Sequence, residues 1–334
     1  MDKLLTISVA AYNVSQYIEK ALDSIVIPEK MEMLEVFIVN DGSRDNINEI
    51  VKPYIERWPG TFILVNKENE GYGSTINWSV AHATGKYFKI LDGDDFFDKD
   101  GLENLIKILE KISDVDAVVS QSIRTYPDGT LKSIFSFLDD IVDREIVNIE
   151  NVAANADVAV WGYTFLTEKI KKRWRPLPIH SFYTDRLFII QVLMNIRTIM
   201  YLKEPIYYYR VGLNEQSTSK NSVIKHYKEL MEVDKICCKY YEEYKLIGGN
   251  SKEYIEYRAG LYYASTICML TLLPSTFHNF KMIRNYEKEI SKLSINIFDR
   301  AAYTTKRIRL LRKTRYLIFF VWPVVELLRK IGEM

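Results

Sequence analysis

In the first 120 residues, short apolar runs alternate with segments whose apolar residues recur at helical spacing. This alternation limits the folds that the chain can adopt. The runs, rich in β-branched residues, lie at 4–10, 34–39, 62–65, 87–91 and 117–120. They predict buried strands. Between them apolar residues recur at helical spacing, as at Ile18, Ala21, Leu22 and Ile25. The pattern predicts an α/β fold: a mostly parallel sheet with helices on both faces.

Polar residues follow three of the predicted strands. The groups are Tyr12-Asn13, Asp41-Gly42-Ser43 and the run from Asp92 to Asp95. Ligands of such sheets bind beyond the carboxyl ends of the strands, so these groups mark the expected site. The turn after the first strand has no glycine, which excludes a dinucleotide fingerprint. Walker A and HExxH motifs are also missing, so P-loop and zincin functions are excluded.

The acidic run carries the strongest chemical signal. Asp92 and Asp94, separated by one residue on an extended segment, point the same way. Their mutual repulsion favours a divalent cation, Mn²⁺ or Mg²⁺, which takes one or two protein carboxylates and fills its shell with water and phosphate. A solvated acidic turn is the alternative interpretation. An EF-hand is excluded because Phe97 occupies the position that requires glycine.

The charge distribution and the cysteine content limit the possible binding partners and the cellular compartment of the protein. The formal net charge is +1, yet residues 303–334 hold eight basic and two acidic residues and carry +6, which leaves −5 on the rest. An acidic body excludes bulk nucleic-acid binding. With three cysteines, Cys237 and Cys238 adjacent, no disulfide framework is expected and the protein is assigned to a reducing, cytoplasmic compartment.

Five segments in order resemble one family. They are ISVAAYNVSQYIEKALDSI at 7–25, EVFIVNDGSRD at 35–45, NEGYGSTIN at 69–77, ATGKYFKILDGDD at 83–95 and TDRLF at 184–188. Together they resemble the family 2 glycosyltransferases, an inverting group with the GT-A fold. The resemblance covers the first 215 residues and implies a GT-A glycosyltransferase domain at 1–215.

The resemblance implies a donor site. It assigns nucleotide binding to the first two turns and a closing segment: Ala11, Tyr12, Asn13, Asp41, Asn69, Gly71 and Asn77. Asp92 and Asp94 match the two acids of the family's metal-binding DxD motif. The resemblance also implies that Asp92 contacts the donor nucleotide. Gly93 stands where serine is common, a small-for-small change. Helix capping by Asp41 and simple turn formation by the glycine and asparagines are the alternatives.

The general base that the resemblance implies is Asp185. The family carries a Glu-Asp pair here, whereas Thr184 replaces the glutamate, so the second acid is missing. A helix N-cap is the alternative role for Asp185. Trp161 and Gly162 lie in a segment that resembles the acceptor-binding region of the family. A tryptophan buried in the core is the alternative interpretation. Arg210 is a candidate diphosphate ligand, and a simple surface arginine is the alternative. The polar loop at 216–219 is a candidate lid, and a linker is the alternative.

The last third of the chain is predicted to be helical. A helical extension at 216–300 precedes a basic amphipathic tail at 301–334, in which six basic residues lie between Lys306 and Arg315. The apolar segment that follows, with Trp322, is too short to span a membrane. An interfacial helix on the membrane surface is one interpretation, and a helix packed on the protein body or a second subunit is the other.

These features predict a metal-dependent inverting glycosyltransferase. The donor would be a nucleotide-diphosphate sugar, with UDP favoured, and the acceptor a glycan or lipid-linked glycan at the inner face of the membrane. A non-catalytic glycan- or nucleotide-binding module is the alternative, and a nucleotidyltransferase a third, weakened by the lack of a glycine-rich basic first loop. The identities of the sugar and acceptor and any homo-oligomer stay open.

Overall fold

The computed structural model describes residues 2–126, 128, 130–135, 141–152, 157–212, 219–248 and 251–320. It divides into two compact units, Met1–Asn214 and Glu215–Met334. Residues 216–218 of the predicted lid, and Trp322 with the rest of 321–334, lie outside the described residues.

The first unit contains ten strands and six α-helices among its described residues. In chain order they are β1 (Leu5–Ala11), α1 (Ser15–Asp23), β2 (Leu34–Asp41), α2 (Ile47–Arg57), β3 (Phe62–Lys67), α3 (Tyr72–His82), β4 (Tyr87–Asp92), β5 (Phe96–Phe97), α4 (Lys99–Leu109), β6 (Ala117–Thr125), β7 (Leu131–Phe135), β8 (Ile146–Asn148), β9 (Tyr163–Leu166), α5 (Thr167–Lys171), α6 (Asp185–Leu193) and β10 (Thr198–Arg210). Short 3₁₀ helices lie at Pro28–Met33 and Val160–Gly162.

All ten strands form one sheet in the order β3-β2-β1-β4-β9-β6-β10-β5, with β7 on β6 and β8 on β10. The long strands pair in parallel: β1 with β2 and β4, β2 with β3, and β6 with β10. The predicted α/β class is therefore confirmed. The short strand β9 was not predicted, and it runs antiparallel between β4 and β6.

Alternate residues of β1 explain the layers of this unit. Leu5, Ile7 and Val9 belong to the main core with buried side chains of α1, α2 and α4. On the opposite face Ser8 donates a hydrogen bond of 2.7 Å to Ser79 of α3, or accepts one from it. A buried strand between two helical layers needs suitable contacts on both faces, and helices on both faces are what the alternation predicted.

The second unit is helical throughout its described residues. Its helices are α7 (Lys220–Leu246), α8 (Lys252–Leu270), α9 (Phe277–Leu293), α10 (Ile295–Thr304) and α11 (Lys306–Lys313). Paired polar groups lie inside it, as where Tyr263 donates to Glu287 at 2.8 Å. No helix within the described ranges has both the length and the apolar character needed to cross a membrane.

Helix α11 of the predicted tail packs within the second unit, which agrees with the alternative interpretation of a helix packed on protein. Ile308 and Leu311 are buried. Two of the six basic residues turn inward: Arg307 donates to Thr271 at 2.7 Å, and Arg312 pairs with Glu287 at 3.0 Å. The exposed basic residues are Lys306, Arg309, Lys313 and Arg315.

Candidate active site

The acidic run lies where β4 ends beside β1. Asp92, the last residue of β4, is in register with Ala10, and the Gly93 N–H donates to the Ala10 carbonyl at 2.9 Å. A Cβ atom at Gly93 would come within 2.7 Å of that oxygen. This close approach leaves room for hydrogen only, so serine would not fit here unless the backbone shifted.

Asp95, the third acid of the run, has a structural role that the sequence did not reveal. It is buried and accepts hydrogen bonds from the Tyr207 hydroxyl at 2.8 Å and from the Arg210 N–H at 2.7 Å. The Tyr207 hydroxyl in turn accepts from the Asp92 N–H at 3.1 Å. Asp95 thereby ties the acidic turn to β10 and fixes the position of Asp92.

Arg210 is buried beside this turn. Its guanidinium donates to the Asp94 carbonyl oxygen and lies over the rings of Tyr17 and Phe96 at 5.0 and 4.8 Å. The charge of Arg210 lowers the pKa of Asp94, against the stronger effect of burial, which raises it. The predicted phosphate ligand therefore lies at the acidic turn, held in place by the chain itself.

Burial and mutual repulsion disfavour ionisation of the carboxyl groups in the acidic turn. Burial, and next the charge of Asp94, raise the pKa of Asp92 to about 7. Burial and the charges of its two neighbours hold the pKa of Asp95 well above its usual range. A cation would relieve this repulsion, because it stabilises the ionised form of the carboxylates.

Asp41 organises the loop between β3 and α3. Its buried carboxylate pairs with Lys67 at 2.8 Å and accepts from the backbone N–H groups of Glu70 and Gly71 at 3.0 and 2.8 Å. The Ser74 hydroxyl completes the set at 3.2 Å. Asp41 therefore builds the segment that was expected to close over the nucleotide. Lys67, at the end of β3, is a partner that the sequence analysis missed.

The first turn is held by the second. Asn13, with a φ of +52°, accepts from the Arg44 N–H at 2.9 Å through its side chain and donates from its backbone N–H to Ser43 at 3.0 Å. Ala11 is buried, whereas Tyr12 is half exposed. Tyr12 thus exposes an aromatic ring at this turn.

The predicted closing segment is built into the protein framework. Asn69 donates through its side chain to the Asp41 carbonyl at 2.8 Å, and Gly71 has a φ of +89°, which favours glycine. Asn77 bonds the backbone of Leu177 twice, donating to its carbonyl at 2.9 Å and accepting from its N–H at 2.7 Å. These contacts assign a positioning role to the two asparagines.

Asp185 begins α6 and lies near the acidic run. Its charge contributes to raising the pKa values of Asp92 and Tyr72, which places the predicted base beside the predicted donor site. The segment before it contains His180 and Tyr183 at φ values of +51° and +62°. Non-glycine residues in this conformation persist only where surrounding contacts hold them.

Contacts with Glu70 and with α3, which begins two residues later, hold this strained segment. The His180 N–H donates to the Glu70 carbonyl at 2.5 Å, and a Cβ at Gly73 would lie 2.7 Å from the Pro178 oxygen. Together with the Leu177 contacts of Asn77, these interactions fix the backbone that leads into α6. They explain how Asp185, distant in sequence, comes to lie near the end of β4.

Tyr72, the first residue of α3, was missed by the sequence analysis. Its phenol lies near the carboxylates of Asp92 and Asp185, and burial followed by these charges holds its pKa well above the usual range. Its hydroxyl group and the Asp92 carboxylate are buried against each other. Position between two glycines was the only sequence signal, and it indicated a turn.

Trp161, the predicted acceptor residue, is half-buried. Its ring stacks on Tyr209 at 4.5 Å, and its carbonyl accepts from Lys89 at 2.8 Å. Gly162 is buried and closes a 3₁₀ turn by donating to the Ala159 carbonyl. Lys89 is fully buried, and burial lowers its pKa to about 7. One face of Trp161 is thus already covered.

The acidic turn has oxygen ligands suited to a metal ion. Among the residues that the structure describes, no group of three or more His, Cys, Asp and Glu side chains could hold one. Asp92 and Asp94 offer two carboxylates on one turn, the hard oxygen ligands that Mn²⁺ and Mg²⁺ prefer. The residues fit an ion that completes its shell with water and substrate phosphate.

The fold and the acidic strand end define a GT-A-type protein. The family model described as "Glycosyl transferase family 2" matches residues 6–182, more than half of the chain. The chain therefore belongs to glycosyltransferase family 2, as the motifs indicated.

Individual relatives agree with this assignment. The chain is 28% identical over 206 residues to an uncharacterized glycosyltransferase of Mycoplasma genitalium, covering 61% of this chain and 66% of the relative. It is 26% identical over 225 residues to glycosyltransferase GlyA of Streptococcus pneumoniae, covering 63% and 31%. The matched regions thus span less than two thirds of these relatives.

A solved structure extends the similarity beyond the family model. Residues 1–349 of S. aureus TarS, crystallised in complex with UDP-GlcNAc, superpose with a TM-score of 0.59 over 92% of each chain. At 15% identity the likeness establishes the GT-A fold, including a helical C-terminal region, and nothing finer.

Proposed function

We propose that the protein is an inverting glycosyltransferase that moves a sugar from a nucleotide-diphosphate donor, UDP-sugar favoured, to a hydroxyl group of an acceptor. The observation that carries the proposal is the proximity of Asp185 to Asp92 at the carboxyl edge of the sheet. The charge of Asp185 contributes to the raised pKa of Asp92, and both charges contribute to the raised pKa of Tyr72. The TarS complex with UDP-GlcNAc on the same fold supports the donor class.

Asp185 acts as the general base in this proposal. Its carboxylate takes the proton of the acceptor hydroxyl while that oxygen attacks the anomeric carbon on the face opposite the diphosphate. The bond between the anomeric carbon and the diphosphate oxygen breaks, and the nucleoside diphosphate leaves with both electrons. Inversion follows from the single displacement, as in an inverting glycosidase. Its fixed backbone keeps Asp185 in position for this step.

Asp92 and Asp94 would hold Mn²⁺ or Mg²⁺, which supplies charge stabilisation to the diphosphate. Arg210, fixed at the same turn, would add positive charge nearby. The first two turns and the segment from Asn69 to Asn77 would receive the nucleotide, with Tyr12 against the base.

Calorimetric titration with UDP, and then with TDP and GDP, tests the donor site with and without Mn²⁺. We expect metal-dependent UDP binding that Asp94→Asn weakens at least tenfold. Asp185→Asn should bind UDP as the wild type does but lose sugar transfer and donor hydrolysis by at least a hundredfold. Asp100→Asn, an exposed change on α4, is the control. Folded wild-type protein that binds no nucleotide diphosphate would favour the non-catalytic module.

We also propose a membrane-associated acceptor, a glycan or lipid-linked glycan. Lys306, Arg309, Lys313 and Arg315 are exposed, and Leu317 and Phe320 near them are 63% and 40% exposed. Basic side chains beside exposed apolar ones suit an anionic lipid surface. The polar lid at 216–219 stays a prediction.

Vesicle binding tests this second proposal. Each basic residue near an anionic surface contributes about 1 kcal/mol, so reversing all four to glutamate should weaken binding to phosphatidylglycerol vesicles at least a hundredfold. The matched control reverses four exposed basic residues of α9: Lys281, Arg284, Lys288 and Lys292. Equal losses of vesicle binding in the two variants would mean that net charge alone explains the effect. Unchanged binding in the four-residue α11 variant would mean that this surface does not bind the membrane.

A further inference from the structure

A lysine of α1 lies beside Arg210 at the acidic turn. The ammonium group of Lys20 is 3.8 Å from the centre of the Phe96 ring, and the guanidinium of Arg210 is 4.8 Å from the same centre. Because both distances are to one ring, the two positive charges are neighbours. Phe96 is itself the first residue of β5, directly after the acidic turn, so both cations lie at the edge of the candidate site.

The two cations are not equally compensated. Burial lowers the pKa of Arg210, and the charges of Asp95 and Asp94 oppose this effect. For Lys20, burial and next the charge of Arg210 both lower the pKa. In the parts of the chain that the structure describes, no carboxylate forms an ion pair with Lys20. The ring attracts each cation, but the two like charges repel, so an anion between them would relieve the repulsion.

The surroundings of the pair suit a ligand that enters from solvent. Lys20 is exposed and Phe96 is half-buried, whereas Arg210 is buried and its guanidinium donates to the Asp94 carbonyl oxygen. A fixed guanidinium offers directed donors, and a lysine on a flexible stem adds a charge that adjusts to the ligand. This combination favours a phosphate group, whose several oxygens accept charge-assisted hydrogen bonds from both sides.

We propose that Lys20 and Arg210 together bind a phosphate group beside the acidic turn, which makes Lys20 a substrate-binding residue of the enzyme. The inference rests on the proposed function above. The phosphate comes either from the donor diphosphate or from an acceptor that carries one, such as a polyprenyl phosphate. Both sources present the same chemistry to the pair, and the experiment distinguishes them.

The substitution Lys20→Gln removes the charge and keeps a long polar side chain. Calorimetric titration with Mn²⁺ measures UDP affinity first, and farnesyl phosphate is then titrated into protein saturated with UDP. If the donor diphosphate is the ligand, UDP affinity should fall about five- to tenfold in Lys20→Gln. If the acceptor phosphate is the ligand, UDP affinity should be unchanged and farnesyl phosphate affinity should fall by a similar factor.

Three controls separate phosphate binding from other effects of the substitution. Lys20→Arg keeps the charge and should retain most of the affinity. Lys111→Gln, an exposed change just after α4, removes the same charge elsewhere and should bind both probes as the wild type does. Farnesol lacks the phosphate, so any binding of it should be equal in wild type and Lys20→Gln.

Thermal unfolding without ligand tests whether Lys20 is merely structural. We expect the Tm of Lys20→Gln to equal that of the wild type, because the lost contact with the Phe96 ring is offset by the lost repulsion from Arg210. A lowered Tm with unchanged affinity for both probes would mean that Lys20 only supports the ring.

That result would overturn the phosphate site and leave the enzyme proposal intact. So would equal affinities of folded wild type and Lys20→Gln at unchanged Tm, or losses of the same size in Lys20→Gln and Lys111→Gln, which net charge alone explains. Folded wild-type protein that binds no nucleotide at all would instead overturn the proposed function, and this inference with it.

Discussion

Gly93 is the position at which the end of β4 comes closest to β1. Any Cβ there meets the Ala10 carbonyl at 2.7 Å and Val14 Cγ2 at 3.0 Å. We expect Gly93→Ala to lower the free energy of unfolding by about 1–3 kcal/mol, the usual cost of overpacking, and to weaken UDP binding by displacing Asp92. Urea unfolding and UDP titration measure the two effects.

Gly60→Ala controls for loss of glycine elsewhere. Its Cβ would meet nothing within 4 Å, although its φ of +80° makes the substitution strained. We expect it to lose some stability and no UDP affinity. If Gly93→Ala retains wild-type UDP affinity, the close approach of the two strands does not position Asp92.

The raised pKa of Asp92 has a consequence for stability in the absence of metal. Folded Asp92 keeps its proton up to about pH 7, whereas the unfolded chain releases it near the ordinary value of 3.8. The folded state therefore binds more protons between these values, and the stabilisation is greatest below pH 4 and is lost as pH rises through 7.

Unfolding in EDTA at several pH values tests this effect. The free energy of unfolding of the wild type, relative to Asp92→Asn, should fall between pH 4 and 7 and then level off. Adding Mn²⁺ at pH 8 should stabilise the wild type more than the variant. A difference that does not change with pH would mean that Asp92 is ionised throughout.

At the scale of elements, α3 and α6 are coupled through the segment between α5 and α6. Asn77 holds Leu177 by two hydrogen bonds, so Asn77→Ala leaves two backbone groups without partners. We expect a loss of about 1–3 kcal/mol in unfolding free energy and a larger drop in transfer rate than in UDP affinity, because Asp185 shifts.

Asn77→Asp refines this test, since it keeps the acceptor for the Leu177 N–H and loses the donor to its carbonyl. Its effects should be intermediate. Lost UDP affinity at unchanged stability would instead support direct contact of Asn77 with the nucleotide, as the family resemblance implied.

The strands and helices show what sequence patterns reveal. The apolar run at 34–39 predicted β2, since a strand buried on both faces must be apolar along its length. Strand β9 escaped prediction because Tyr163–Leu166 has only four residues, and its position depends on pairing with β4 and β6. Likewise, nothing local indicates that Tyr207 binds Asp95, a contact between residues far apart in sequence.

At the scale of the whole molecule, every described residue of the candidate site lies in the first unit, whereas the basic helix α11 lies in the second. Charge counting distinguished the tail from the body, but it could not separate basic residues that hold a helix in place from those that face solvent. Arg307 and Arg312 belong to the first kind, because their partners come from α9 and the end of α8.

Arg312 provides the sharpest test of this separation. It pairs with Glu287 at 3.0 Å, donates to the Phe298 carbonyl at 2.9 Å and lies over the Phe298 ring at 3.6 Å. Arg312→Gln leaves the buried Glu287 carboxylate with Tyr263 as a remaining donor, so we expect a loss of about 3 kcal/mol, measured by denaturant unfolding followed by circular dichroism.

Arg309→Gln, an exposed change on the same helix, is the matched control and should alter stability by less than about 0.5 kcal/mol. UDP affinity, measured where both variants are folded, should equal that of the wild type, because neither arginine touches the donor site. Vesicle binding should fall for Arg309→Gln even though its stability is unchanged. The opposite pattern, with Arg309 important for stability and Arg312 dispensable, would mean that α11 does not pack through the face that carries Ile308 and Leu311.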